Sequence, residues 1–143
     1  MSRLEKISVG EVREIVHIFA QKFLEWDEPI PDFETRYPGI LESCVATPFQ
    51  TFSKKELYPG LIPKAAILFY LMVKNHPFKN GNKRIAVVTL LTFLYKNKKW
   101  LSVDAKSLYD FAKWVAASNP QVRTEVTQAI EKFIVSNIVE ILR

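Results

Sequence analysis

Two long apolar runs, AAILFYLMV and IAVVTLLTFLY, dominate the middle of the chain. Neither run alternates between apolar and polar positions, and both exceed an ordinary strand in length, which favours helices buried on most sides. The polar stretch HPFKNGNKR separates them, so the pattern predicts a buried helical hairpin with a polar joint. The predicted helices run from about Pro63 to Asn75 and from about Asn82 or Lys83 to Lys96.

Amphipathic helices are predicted on both sides of this hairpin. Ser8 followed by Glu11 forms a capping-box pattern that opens a first helix, which should end near Trp26. This helix is expected to bury one apolar stripe and to leave His17 at the surface; the stripe comprises Val12, Ile15, Val16, Phe19 and Phe23. Further helices are predicted at 39–46, at about 105–117, and from Asn119 and Pro120 through a stripe that extends to Ile141.

Two shorter segments complete the predicted elements. Residues 47–58, TPFQTFSKKELY, lack a helical stripe and alternate polar with apolar positions, which predicts a short β-hairpin or extended flap. Three lysines follow the second apolar run, and we expect them to complement the dipole of that helix; they are Lys96, Lys98 and Lys99. The prediction is therefore an all-α fold with a short hairpin flap, in one domain that spans residues 1–143.

Composition excludes several classes of protein. The single cysteine, Cys44, cannot form an internal disulfide, and no apolar run reaches the ~18 residues that a membrane span needs. The first ten residues contain no apolar signal core, so a cytoplasmic protein is expected. The net charge of +5 favours anionic partners, but without an arginine-rich tract nucleic acid is not the expected one.

The polar joint carries the candidate chemistry. Gly81 permits a left-handed turn that leads directly into a helix, whose first amides have no partner within the helix. Such amides and the positive end of the helix dipole favour phosphate, and Asn82, Lys83 and Arg84 add donors and charge. His76, at the end of the preceding helix, is a candidate general base.

Each feature of the joint also has a structural interpretation. A histidine at a helix end is often only a cap, Gly-Asn before a helix is often only a turn, and the cations can form a solvated rim. The combination of a base with a phosphate-binding loop is what indicates transfer of a phosphoryl or nucleotidyl group.

The joint resembles the motif of the Fic/Doc family, His-x-Phe-x-Asp/Glu-Gly/Ala-Asn-x-Arg. The matching positions here are His76, Phe78, Asn80, Gly81, Asn82 and Arg84. The Asn-Lys-Arg step, with Val87 where many members have a second arginine, is similar to the Doc (death-on-curing) branch. The resemblance covers residues 39–99 and implies a compact, mostly helical Fic fold with the motif between two central helices.

The resemblance also implies roles for these residues. His76 would be the general base, Phe78 the loop anchor, and the phosphates would be bound by Asn80, Gly81, Asn82, Lys83 and Arg84. The flap would align a target peptide through Thr47, Phe49, Thr51 and Phe52. The Doc branch implies phosphoryl transfer from ATP or another nucleotide to a protein hydroxyl. AMP transfer is the alternative, and Lys83 and Val87 count against it.

One position departs from the family pattern. The motif acid that would hold Mg²⁺ is Asn80, and a neutral carbonyl binds this cation less well than a carboxylate does. A third interpretation is therefore a catalytically impaired module that binds a nucleotide or a protein. The expected partners are a target protein with a Ser, Thr or Tyr hydroxyl, for which the Doc branch suggests a translation factor, and a small antitoxin chain.

Overall fold

The computed structural model describes residues 3–22 and 29–141 as a mostly helical protein. The helices are α1 (Val9–Glu11), which continues through a π-helical segment (Val12–Val16) into α2 (His17–Lys22), then α3 (Ile40–Ala46), α4 (Leu61–Lys74), α5 (Asn82–Lys96), α6 (Ala105–Ala117) and α7 (Arg123–Asn137). The strands are β1 (Thr51–Phe52), β2 (Lys55–Glu56), β3 (Lys99–Leu101) and β4 (Ile138–Glu140). Single 3₁₀ turns occupy Phe33–Thr35, Thr47–Phe49 and Pro120–Val122.

The hairpin of α4 and α5 forms the centre of the fold, as its apolar runs predict. Positions 64–73 of α4 are all buried, because α3, α5, α6 and α7 pack around this helix. Helix α5 is buried from Ile85 to Leu90 and contacts α2, α4, α6 and β3. The loops at the two ends of this hairpin are therefore attached to the most tightly packed part of the fold.

The predicted flap is a two-stranded antiparallel hairpin in which Thr51 pairs with Glu56 and Phe52 with Lys55. The two residues of its turn, Ser53 and Lys54, both have positive φ, which is the geometry that tight hairpin turns require. The short helix at 39–46 and the helix at 105–117 are also confirmed. Within the described residues, no helix has the length and apolar character needed to cross a membrane.

The apolar stripe predicted for the first helix is wrong in part. Val12 and Val16 are buried, but Ile15 is partly exposed and Phe19 is 60% exposed, and His17 and Ala20 are buried in their place. The cause is the π-helical segment, because its wider turn shifts the following residues around the helix axis. The predicted positions of Phe23 and Trp26 lie outside the described residues.

The last helix is shorter than predicted. It ends at Asn137, and Ile138–Glu140 forms β4, which pairs antiparallel with β3. Lys99 therefore lies in a strand, where its Nζ is 2.7 Å from Glu140 Oε1, and Lys96 pairs with the Glu11 carboxylate. These two lysines make specific ion pairs, which corrects the prediction that they only complement the dipole of α5.

Candidate functional site

His76 follows α4 in a backbone conformation that is rare for its residue type. Asn75 is the C-cap of the helix, and His76 has a φ of +49° immediately before Pro77. The following proline disfavours the right-handed helical region for His76, so the chain must leave the helix here. His76 is exposed to solvent at the end of the rigid α4 helix.

Gly81 closes the other side of the loop. It is the N-cap of α5 with φ +76° and ψ +13°, a left-handed conformation. A Cβ at this position would lie 2.6 Å from Cγ1 of Ile30, closer than non-bonded carbon atoms approach. Both the backbone conformation and the space therefore require glycine.

The Asn82 side chain ties the loop together. Its Oδ1 accepts a hydrogen bond from the Phe78 N–H at 2.9 Å, and its Nδ2 donates to the Phe78 carbonyl at 2.8 Å. Nδ2 also lies 3.5 Å from Nδ1 of His76, at the long limit of a hydrogen bond. Asn82 thus has a structural role within the loop that the sequence did not indicate, and its contact to phosphate stays a prediction.

Phe78 extends from this loop into the core. It is buried, and its ring centroid lies 5.7 Å from that of Phe33 and 5.9 Å from that of His17. The predicted surface position of His17 is wrong, because only 6% of this residue is exposed. Nε2 of His17 is 2.8 Å from the Pro31 carbonyl oxygen, and its ring meets the Phe33 ring edge-on at 5.7 Å.

The segment of residues 29–37 lies along the loop and holds it from outside. The Tyr37 N–H donates to the Pro77 carbonyl at 3.0 Å, and Nδ2 of Asn80 lies 3.5 Å from the Pro29 carbonyl. Together with the contact of Ile30 at Gly81, these interactions come from residues about 40 to 50 positions away in sequence. No motif in that segment indicated its role.

The electrostatics of the loop favour an anion. The α5 backbone ladder begins with the Ile85 N–H to the Gly81 carbonyl at 3.0 Å, so the earlier amides lie at the positive end of the helix dipole. Arg84 is only 2% exposed, and Lys83 is half-buried beside it. This combination of charge and helix terminus suits a phosphate group.

The same residues do not fit a resident Mg²⁺ ion. Asn80 is neutral, and its Oδ1 accepts a hydrogen bond from the Gly81 N–H at 2.9 Å. Across residues 3–22 and 29–141, no cluster of three or more His, Cys, Asp or Glu side chains could hold a metal ion. A divalent cation prefers oxygen ligands with negative charge, and cations surround this loop instead.

The flap and the loop lie on opposite sides of α4 in the chain. The flap precedes this helix and the loop follows it, with the 14 residues of α4 between them. Phe49 packs on Phe93 near the distant end of α5, with ring centroids 6.1 Å apart. The Thr47 hydroxyl donates a hydrogen bond to the Ser43 carbonyl. Thr51 is exposed, and Phe52 is 74% exposed. Their role in aligning a peptide stays a prediction.

Two further features bear on function. Cys44 is buried, and this burial raises the pKa of its thiol to about 11, which keeps it protonated and unreactive near neutral pH. An apolar groove of about 430 Å³ lies between the first helix and α5; its lining includes Ile15, Phe19, Leu91, Tyr95 and Trp100.

The joint of the α4–α5 hairpin combines three features: an exposed histidine, a glycine in the left-handed conformation and the N-terminus of a helix. These features together are typical of one class of protein. The sequence profile described as the Fic/DOC family matches residues 6–94, which is more than half of the chain. The chain therefore belongs to the Fic/DOC family.

A particular relative is the protein named Toxin Doc from Mycolicibacterium smegmatis. It is 37% identical over 73 residues, which cover 51% of this chain and 56% of the relative. The match thus spans little more than half the length of that protein. A comparison with solved structures gave no match.

Proposed function

We propose that this chain is a Doc-like toxin that transfers a phosphoryl group from a nucleoside triphosphate to a hydroxyl of a target protein. The observation that carries the proposal is the joint of α4 and α5. There the side chain of Asn82, the first residue of α5, bonds the Phe78 backbone and lies 3.5 Å from the exposed His76. The name of the mycobacterial relative supports the toxin class.

In this reaction the target hydroxyl oxygen attacks the γ-phosphorus. A new oxygen–phosphorus bond forms, the bond from the γ-phosphorus to the β,γ-bridging oxygen breaks, and the nucleoside diphosphate leaves. His76 takes the hydroxyl proton as the oxygen attacks. The transferred group carries negative charge throughout, so the α5 amides with Lys83 and Arg84 would hold it in place.

Magnesium belongs to this proposal as part of the substrate. The phosphates of the nucleotide bind Mg²⁺ themselves, and the protein would add at most the neutral carbonyl of Asn80. We therefore expect transfer to require a high Mg²⁺ concentration, because the loop contributes no carboxylate.

The test uses ATP labelled in turn at the γ- and the α-phosphate, with a bacterial lysate as the source of target. The chain and its His76→Ala variant are compared at low and high Mg²⁺, and Lys106→Ala on the exposed side of α6 is the control. We expect label from γ-ATP alone, dependent on His76 and unaffected in the control. Label from α-ATP would instead establish AMP transfer.

A second candidate, a module that binds nucleotide without transferring it, is favoured by the interactions of Asn80. If neither label is transferred but calorimetry detects nucleotide binding that Arg84→Ala weakens, this candidate replaces the first. Absence of both transfer and binding would contradict both.

The biological part of the proposal has a separate test. Expression of the chain in bacteria should arrest growth, and expression of His76→Ala should not. The proposed target is a translation factor, so incorporation of labelled amino acids should stop before growth does. The proposed partner is a small antitoxin that contributes a helix, and the apolar groove beside α5 offers an apolar surface to such a helix. Arrest that persists with His76→Ala would contradict the transfer mechanism.

A further inference from the structure

The buried His17 has no part in the proposed transfer, yet it is connected to the loop that carries His76. Histidine is seldom fully buried, and a buried polar ring needs a hydrogen-bond partner. His17 is 6% exposed and finds that partner in the Pro31 carbonyl oxygen, 2.8 Å from Nε2. A carbonyl oxygen only accepts hydrogen bonds, so Nε2 of His17 must carry a proton.

This hydrogen bond joins the first helix to the segment that lies along the loop. Pro31 is next to Ile30, whose side chain occupies the space beside Gly81. The nearby Pro29 carbonyl lies 3.5 Å from Nδ2 of Asn80. By holding Pro31, His17 therefore holds the chain that contacts Asn80 and Gly81.

The ring of His17 acts on the loop by a second route. Three rings, those of His17, Phe33 and Phe78, form a cluster with centroid distances of 5.7, 5.7 and 5.9 Å. Phe78 belongs to the loop itself. Pairs of aromatic rings at such distances have preferred geometries, so the cluster restrains the position of Phe78.

The route continues from Phe78 to His76 through a single side chain. The Phe78 backbone N–H and carbonyl both bond the Asn82 amide, at 2.9 and 2.8 Å, and these two bonds determine which way that amide faces. Its Nδ2 then lies 3.5 Å from Nδ1 of His76. A displacement of Phe78 must move Asn82, and with it the contact between the Asn82 amide and the His76 ring.

We infer that His17 is a positioning residue for the motif loop. It acts through Pro31 and Phe78, and it places the His76 imidazole relative to the N-terminus of α5. It touches neither nucleotide nor target. The consequence for transfer rests on the proposed function, but the positioning of the His76 ring does not.

Two substitutions of similar chemistry test this inference. In His17→Gln, the side-chain amide nitrogen occupies about the place of Nε2 and can still donate to the Pro31 carbonyl. In His17→Asn, the shorter side chain places its nitrogen near the Nδ1 position and cannot reach it. Both remove the ring, so a difference between them reports the hydrogen bond.

The measurement is the imidazole NMR signal of His76. The chain contains two histidines, so both His17 variants retain only His76, and their spectra identify its signal. Asn82→Ala marks where this signal lies when the contact is lost, and Leu108→Ala on α6 controls for general destabilisation. We expect His17→Asn to move the signal toward its Asn82→Ala position, and His17→Gln to stay closer to the wild-type position.

Activity is the second readout. If transfer occurs, kcat should fall by about tenfold or more in His17→Asn, with a smaller change in KM for the nucleotide, because the base is misplaced while the phosphate site persists. His17→Gln should recover much of this loss. If transfer does not occur, the proposed function fails but the NMR comparison still decides the inference.

Several results would overturn the inference. One is an unmoved His76 signal in His17→Asn, and another is an equal displacement in Leu108→Ala. An equal displacement in both His17 variants would overturn the route through Pro31, because the two variants differ in that hydrogen bond and both lack the ring. If His17→Asn does not fold, Phe33→Leu takes its place, because it removes a ring that contacts both His17 and Phe78. An unmoved signal in folded Phe33→Leu would then overturn the inference.

Discussion

The two ends of the α4–α5 hairpin are built in opposite ways. At the loop end, His76 and Gly81 have positive φ, and the loop is held by the first helix and by residues 29–37. At the flap end, two adjacent residues of the turn have positive φ, and within the described residues the two strands pair only with each other. The loop end is held by distant segments along its length, whereas the flap is attached to the rest of the fold through Lys64 and through Phe49, which packs on Phe93.

This difference separates a rigid site from an adaptable surface. Long-range contacts hold the loop in one arrangement, as a reacting group requires. The flap exposes Phe52, and Lys64 joins it to α4 by bonding Glu56 and the Tyr58 carbonyl. A two-stranded hairpin that is attached mainly through Lys64 and Phe49 can change the position of its strands without disturbing the core. The predictions below test this contrast, from the largest expected effect to the smallest.

Gly81→Ala should have the largest effect. The left-handed conformation costs a residue with a Cβ about 1–2 kcal/mol, and the new methyl group would meet Ile30 at 2.6 Å, which adds roughly 1–3 kcal/mol. We expect a total loss of about 2–5 kcal/mol in the free energy of unfolding, measured by urea denaturation, together with a displaced His76 signal.

Gly39→Ala is the matched control for this substitution. Gly39 has a φ of +81°, close to that of Gly81, but apart from its chain neighbours no atom of the described residues lies within 4 Å of the place that a methyl group would take there. It should therefore show the backbone cost alone. The double variant Gly81→Ala with Ile30→Ala removes the two closest atoms and should restore the His76 signal. Equal losses for both glycine variants would mean that Ile30 does not press on the loop.

Lys64→Met tests the flap end. Lys64 is 1% exposed, and its Nζ bonds Glu56 Oε1 at 3.1 Å and the Tyr58 carbonyl. Loss of hydrogen bonds from a buried charged group should cost about 2 kcal/mol of unfolding free energy, with Lys55→Met on the exposed strand as the control. The His76 signal should stay at its wild-type position, since α4 separates the two ends. Movement of that signal would show that the ends are coupled.

Asn80→Asp tests how far the missing carboxylate limits the loop. A carboxylate here would add negative charge beside the phosphate site and a strong ligand for Mg²⁺. We expect half-maximal transfer at roughly tenfold lower Mg²⁺ concentration, measured with γ-labelled ATP. Asn75→Asp, at the C-cap of α4, places the same charge outside the motif. If neither the magnesium dependence nor the transfer rate changes in Asn80→Asp, the missing carboxylate does not limit the site.

Sequence reasoning identified the central hairpin because two apolar runs of this length are typical of buried helices. It identified the motif loop because the residue types of His76, Gly81 and the following cations indicate a base, a left-handed turn and an anion site. It missed the role of His17, since a π-helical turn changes which residues face inward and no periodicity indicates such a turn. It also missed Ile30 and β4, because long-range packing and pairing determine them.

The smallest expected effect concerns the first helix, which supports the loop through His17. Glu11 pairs with Lys96 and closes the capping box with Ser8. Partial burial raises the pKa of the Glu11 carboxyl, but hydrogen bonds and charge from Lys96 and Ser8 outweigh this and lower it overall. Because the folded-state pKa lies below the unfolded one, the stabilisation is present above pH 4.5 and is lost as pH falls through the folded-state pKa.

Glu11→Gln isolates this charge, because glutamine can still complete a capping box. The variant should lose roughly 0.5 kcal/mol of unfolding free energy near pH 7, and the difference from wild type should vanish below the folded-state pKa. Thermal unfolding at a series of pH values measures both. Since the pair lies at the N-terminal end of the first helix and His17 lies beyond the π-helical segment, the His76 signal should not respond. A response would mean that the loop depends on the whole first helix, and its rigidity could then no longer be assigned to His17 and the segment of residues 29–37.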